Sequence, residues 1–132
     1  LGDKIFFNDD SKSLLERLKG KAKQYAVTNG TYVAQKRKLE NSGLDVLFDG
    51  IFISDQIGYE KPDIRFFDHI WKQTGVCEKD DVLIVGDSLT SDMQGGNNAG
   101  IRCCWYNPED KENNTNVKID YLIHDLNEVE FL

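Results

Sequence analysis

The amino-acid sequence predicts an α/β domain with a mainly parallel sheet and helices on both faces of that sheet. Short apolar runs, which are typical of buried strands, alternate along the chain with amphipathic segments that have helical periodicity. The 132 residues suit a single hydrophobic core, and 39% hydrophobic with 30% charged residues is an ordinary globular composition. We therefore predict one domain over residues 1–132.

The first half of the chain contains three predicted helices and two predicted strands. Ser11 or Ser13 can cap the first helix with its hydroxyl oxygen, while Gly20 and Gly43 suit the positions that follow helix ends. Proline is favoured in the first helical turn, so the third helix is predicted to begin at Pro62. In chain order we predict a helix over 11–20, a strand ending near 28, a helix over 31–42, a strand over 50–54 and a helix from 62 onwards.

The second half begins with the most apolar predicted strand, "VLIVG", over residues 82–86. A helix is predicted to start near Ser91, and the run "IRCCWY" predicts another strand over 101–106. Residues 107–116 are polar and are predicted to form a loop. A short strand over 121–124 and a helical turn at the end complete the predicted order.

Three polar clusters follow predicted strands. They are the stretch 28–30, Lys61, and the stretch 86–88 together with Asp92. In an open parallel sheet, ligands bind beyond the carboxyl ends of the strands, so these clusters mark a candidate site.

Asp87 and Asp92 are the candidate metal ligands. Mg²⁺ prefers oxygen ligands and usually keeps several waters, so one or two carboxylates are enough to hold it. The alternative for Asp92 is a helix cap, and the alternative for Asp87 is a solvated turn.

Thr28, Asn29 and Gly30 are the candidate phosphate-binding residues. They offer a hydroxyl group and free backbone N–H groups at a helix start, although a plain capped turn has the same composition. Lys61 offers a positive charge for a phosphoryl group, although a lone lysine is more often solvated surface.

Taken in order, "TNG", "EKP" and "GDSLTSDMQGGNNAG" resemble the motifs of the haloacid dehalogenase superfamily, in its phosphatase branch. The stretches "FDGIFISDQIGYEKPDIRFF" and "WYNPEDKENN" are most similar to its pyrimidine 5′-nucleotidases. The resemblance covers the chain from about residue 14 to its end, and it implies a Rossmann-like core.

The resemblance implies a role for each candidate residue. Thr28, Asn29 and Gly30 would bind phosphoryl oxygens, and Lys61 would steady the nucleophile and the transferring charge. Asp87 would ligate Mg²⁺, and Asp92 would support the metal or its water. In that family the phosphoryl group passes to an aspartate and is then hydrolysed from it.

The first motif of the family, Asp-x-Asp at the end of a strand, is absent from this sequence. The nearest string, "KIFFNDDSK", has Asn8 where the nucleophile would stand, and Asp9 and Asp10 are expected to belong to a polar loop. We therefore expect the sheet to lack its central strand. We also expect the attacking aspartate and the cap domain to lie in an N-terminal segment outside this chain, with which the chain would associate.

The resemblance thus predicts an Mg²⁺-dependent phosphomonoester hydrolase for nucleoside 5′-monophosphates, inactive as this chain alone. Two alternatives remain open: a haloacid dehalogenase-type hydrolase, and a non-catalytic domain that binds a phosphate-bearing ligand or a protein. The glycine and aspartate that begin the fourth motif favour the phosphatase.

Charge and cysteine content restrict the partners and the compartment. A net charge of −7 argues against nucleic-acid polymers and anionic membranes, which attract basic surfaces. The cysteines are Cys77, Cys103 and Cys104, an odd number without metal-ligand spacing. Reduced thiols are typical of the cytoplasm, where we expect the protein to act.

Overall fold

A computed structural model describes residues 3–132 and contains one six-stranded sheet. The strands lie in the order β3-β2-β1-β4-β5-β6, and every neighbouring pair is parallel. The predicted α/β class is therefore confirmed. The strands are Lys4–Phe7 (β1), Lys23–Thr28 (β2), Gly50–Ile53 (β3), Val82–Gly86 (β4), Arg102–Tyr106 (β5) and Tyr121–Ile123 (β6).

Helices cover both faces of the sheet. The α-helices are Lys12–Leu18 (α1), Tyr32–Ser42 (α2), Ser54–Ile57 (α3), Ile64–Thr74 (α4) and Gln94–Ala99 (α5). A π-helical turn, Leu89–Met93, precedes α5, and 3₁₀ turns span Asp45–Leu47, Lys79–Asp81 and Leu126–Phe131. Among the described residues, no helix combines the length and apolarity that a membrane crossing requires.

Side chains alternate across the sheet and so form two hydrophobic cores. Phe6 of β1 and Ile84 of β4 pack with α4 and α5 on one face. Phe7 and Val85, one residue further along each strand, pack with α1 on the other face. This two-residue alternation is the geometry of a strand covered on both sides.

The central strand that the sequence analysis expected to be missing is present, so that expectation is wrong. β1 lies between β2 and β4, with Phe7 opposite both Ala26 and Val85. Asn8 extends the pairing, because its N–H donates to the carbonyl oxygen of Val85 at 2.8 Å. Although β1 is only four residues long, its three apolar side chains are fully buried, and this burial offsets its short length.

Several predicted boundaries also change in the structure. The helix expected from Pro62 begins at Ile64, where the carboxylate of Asp63 caps it. Residue 54 was assigned to a strand but begins α3, and the helix expected near Ser91 starts as the π-helical turn.

Candidate active site

The candidate site lies at the carboxyl edge of the three central strands. Because β1, β2 and β4 run in parallel, Asn8, Thr28 and Gly86 are at the same edge of the sheet. Lys61 and Asp92 reach this edge from the connections that follow β3 and β4. The fold therefore brings together residues that are more than 80 positions apart in the chain.

Lys61 is buried at the centre of this site, with 2% of its surface exposed. Its ammonium group donates to Asp92 Oδ1 at 2.5 Å, to Asn8 Oδ1 at 2.7 Å and to the carbonyl oxygen of Val27 at 2.9 Å. An ammonium group has three donors, so each is used. Lys61 is thus held by three separate strand ends or connections.

Asp92 is fully buried and is the anionic partner of Lys61. Its second oxygen accepts a hydrogen bond from the N–H of Ser88 at 3.2 Å. Burial lowers the pKa of Lys61 and raises the pKa of Asp92, while the attraction between the two charges opposes both shifts. Gly86 packs directly against this carboxylate, and a Cβ atom there would collide with it.

A second group of acids lies on the solvent side of the buried pair. One carboxylate oxygen of Asp9 and one of Asp87 lie within 4.8 Å of each other and of a carboxylate oxygen of the buried Asp92. Asp9 Oδ2 also accepts a hydrogen bond from the backbone N–H of Asp87 at 2.8 Å. Burial and the negative charge of Asp87 raise the pKa of Asp9 to about 6. Asp9 and Asp87 therefore repel each other when both are ionised.

Mg²⁺ fits the chemistry of these acids. Asp9 and Asp87 are a half-buried and an exposed carboxylate with oxygen atoms facing each other, and hard cations prefer such oxygen ligands. Asp92 is already bonded to Lys61 and Ser88, so its carboxylate suits a supporting position better than a direct ligand. A divalent cation would also relieve the repulsion between Asp9 and Asp87.

The phosphate-binding candidates lie beside Lys61, in a loop with many internal bonds. The Thr28 hydroxyl donates to the Asn29 carbonyl oxygen at 3.3 Å. The N–H of Gly30 donates to Ser54 Oγ at 3.0 Å, and that hydroxyl is 3.4 Å from the Gly30 carbonyl oxygen. The Asn29 side chain pairs with the backbone of Lys61. The Thr28 hydroxyl and the Gly30 N–H, which the sequence analysis offered to phosphate, therefore already donate to protein atoms.

Three site residues were not selected from the sequence. Asp9 was assigned to a loop, Asn8 was noted only as a poor match to a nucleophile, and Ser54 was assigned to a strand. The available signal was "IFF" immediately before "NDD", which is a short apolar run ending in polar residues, as at the other strand ends. Three apolar residues alone do not distinguish a buried strand from the end of a loop.

Asn8 occupies the strand end at which the first motif of the haloacid dehalogenase superfamily would place its nucleophile. Its amide oxygen accepts the Lys61 hydrogen bond that a carboxylate would accept there. Asp10, two residues further on, is half-buried, and burial raises its pKa while the charge of Lys38 opposes the shift. The strand end that the resemblance would give to a nucleophile therefore carries an amide that is hydrogen-bonded to Lys61.

The match to a family model agrees with this geometry. Residues 3–106 match the model described as haloacid dehalogenase-like hydrolase. The protein belongs to this hydrolase family.

Two pyrimidine 5′-nucleotidases are among the proteins similar to this chain. The chain is 45% identical over 100 residues to the pyrimidine 5′-nucleotidase PynA of Streptococcus pneumoniae, covering 76% of this chain and 42% of PynA. It is 38% identical over 120 residues to the pyrimidine 5′-nucleotidase YjjG of Escherichia coli, covering 91% of this chain and 53% of YjjG. The chain thus spans about half the length of these relatives, or less.

A solved structure gives the same result for the fold. The HAD-hydrolase YfnB of Bacillus subtilis, described as putative and as bound to magnesium, superposes with a TM-score of 0.87 at 35% identity. The superposition covers 90% of this chain and 52% of YfnB.

Proposed function

We propose that this protein hydrolyses phosphate monoesters with the help of Mg²⁺, and that its substrates are nucleoside 5′-monophosphates. The observation that carries the proposal is the buried Lys61, which lies between Asp92 and the end of the central strand and beside the facing acids Asp9 and Asp87. The positive charge of Lys61 and the proposed cation site lie at the same edge of the sheet. Both can neutralise the negative charge of a transferring phosphoryl group. The similarity to PynA and YjjG, two pyrimidine 5′-nucleotidases, supports the nucleotide as substrate class.

Each residue has one proposed task. Lys61 offsets, by its positive charge, the negative charge that develops on the phosphoryl group during transfer. Thr28, Asn29 and Gly30 line the phosphoryl position. Asp87 and Asp9 would hold Mg²⁺, and Asp92 keeps Lys61 charged and in place. When bound, Mg²⁺ would neutralise phosphate oxygens.

We propose that the attacking carboxylate lies outside residues 1–132 and reaches the site while β1 keeps its place in the sheet. Asn8 supports this proposal, because an amide oxygen is a poor phosphoryl acceptor and cannot form the aspartyl phosphate of the family. The alternative source of the carboxylate within this chain is Asp9 or Asp10. We therefore expect the chain by itself to release no phosphate.

Phosphate release from a panel of nucleoside monophosphates tests this proposal, with Mg²⁺ and then with EDTA. The assay compares the chain alone with the chain in its full coding context. Metal-dependent release only in the full context supports the proposal. Phosphate release by the chain alone would assign the attack to Asp9 or Asp10. Halide release from a 2-haloacid that EDTA does not alter, without phosphate release, would favour the dehalogenase-type alternative.

Metal binding is measured separately from turnover, with Mn²⁺ as a paramagnetic probe in EPR titrations. Asp87→Asn should weaken Mn²⁺ binding at least about tenfold, because it removes a charged ligand. Glu112→Gln is the matched control, since Glu112 is an exposed acid in the polar loop. Equal affinity in both variants would contradict the metal site.

A further inference from the structure

Asn29 makes a two-bond pairing with the backbone of Lys61. Its amide nitrogen donates to the Lys61 carbonyl oxygen at 3.1 Å, and its amide oxygen accepts from the Lys61 N–H at 3.0 Å. The side chain thus satisfies both backbone polar groups of a residue that belongs to no helix or strand.

The pairing ties both ends of Lys61 to the same strand end. The backbone is held by Asn29, and the ammonium group is held in part by the carbonyl oxygen of Val27, two residues earlier on β2. The side chain between them is 1% exposed and has no solvent in which to relax. A shift of the Lys61 backbone would therefore move its charge away from Asn8 and Asp92.

We infer that Asn29 is a positioning residue, which sets the place of the Lys61 ammonium group before any phosphate binds. This role differs from the phosphate contact expected from the sequence, although one amide N–H of Asn29 stays available for such a contact. The consequence for turnover rests on the proposed function, but the effect on Lys61 does not.

The same pairing occurs twice more among the described residues, and both cases provide contrast. Asn107 pairs with the backbone of Lys111, at 2.9 Å for both bonds. Asn97 pairs with the backbone of Lys118, at 2.9 and 2.8 Å. The lysine side chains there are exposed by 69% and 80%, so those pairings order a loop without placing a buried charge.

The test is lysine footprinting of the ligand-free protein with an acylating reagent, read by mass spectrometry at each lysine. Asn29→Ala is compared with Asn107→Ala, which removes the same kind of pairing from the loop of residues 107–111. Lys61 should be acylated at least about tenfold faster in Asn29→Ala, since two buried backbone groups lose their partners. In Asn107→Ala the rate at Lys61 should stay at the wild-type value.

Circular dichroism decides whether Asn29→Ala is folded, and Asn29→Asp is used if it is not. Aspartate keeps the acceptor for the Lys61 N–H but places a second oxygen against the Lys61 carbonyl oxygen, so a smaller rise at Lys61 is expected. Protection of Lys61 equal to wild type in a folded Asn29 variant would overturn the inference.

Inorganic phosphate separates positioning from direct phosphate contact. Weaker phosphate binding with Lys61 still protected would make Asn29 a phosphate ligand, against the inference. Faster acylation of Lys61 without phosphate present supports the positioning role, whether or not the protein proves to be a phosphatase.

Discussion

The two charged halves of the site differ in burial and in completeness. Lys61 and Asp92 form a pair with almost no exposed surface, in which each charge has its partner and the remaining donors and acceptors are bonded. Asp9 and Asp87 lie towards solvent, and they face each other as like charges. The comparison teaches that the fold pairs opposite charges in its interior and brings like charges together at the solvent-facing edge, where we propose that a cation binds.

The largest expected effect is the loss of the buried pair. Lys61→Met leaves the Asp92 carboxylate buried without its cation, so the free energy of unfolding should fall by about 3–5 kcal/mol. Urea denaturation followed by tryptophan fluorescence measures this change. The double variant Lys61→Met with Asp92→Leu should recover most of the loss, because it removes the uncompensated charge as well. A loss below about 1 kcal/mol in the single variant would show that the pair is not buried in solution.

Mg²⁺ should stabilise the folded protein by binding at Asp9 and Asp87. A ligand at 100 times its dissociation constant raises the free energy of unfolding by about 2.7 kcal/mol when it binds only the folded state. Thermal denaturation with and without Mg²⁺ measures the effect, and Asp87→Asn should abolish it. An equal rise with Ca²⁺ and Mg²⁺ in that variant would assign the stabilisation to another place.

Metal affinity should depend on pH through Asp9. The pKa of this carboxyl is about 6 because burial and Asp87 disfavour its charged form, and a protonated carboxyl is a poor ligand. Affinity for Mg²⁺ should therefore rise about tenfold per pH unit below 6 and level off above it. Calorimetric titrations at several pH values measure this slope, and Asp9→Asn should remove it.

Without metal, the Asp9 carboxyl should make the folded state less stable as pH rises. Its pKa is higher in the folded than in the unfolded state, so the folded state binds more protons between pH about 4 and 6. Its contribution to stability should fall as pH rises through that window. Asp9→Asn should flatten this part of the pH profile.

The smallest effect is expected for an exposed ion pair. Lys36 and Glu40 lie 3.9 Å apart on α2, and both side chains are about half exposed. Lys36→Met should leave the free energy of unfolding nearly unchanged, because solvent screens this pair. The same substitution at Lys61 should lower the free energy of unfolding far more. Equal changes in the two variants would contradict the contrast between the buried and the exposed charge.

Much of the fold follows from the sequence, because long apolar runs and glycine stops are local signals. β4 is found where "VLIVG" predicts it, and α2 ends at Ser42, directly before Gly43, which has the left-handed φ of 74° that favours glycine. Candidates such as Lys61 and Asp92 also follow from their positions after predicted strands. Their direct pairing does not, because 31 positions separate them.

The sequence by itself determined the α/β class, the strand-end location of the site and the chemical types that meet there. Tertiary structure alone decided that β1 fills the centre of the sheet, that Asp9 joins the acid cluster and that Asn29 holds the Lys61 backbone. The physical reason is that a four-residue strand is stabilised by neighbours on both sides rather than by its own propensity. The contacts of the site in turn depend on the parallel order of strands that are distant in the chain.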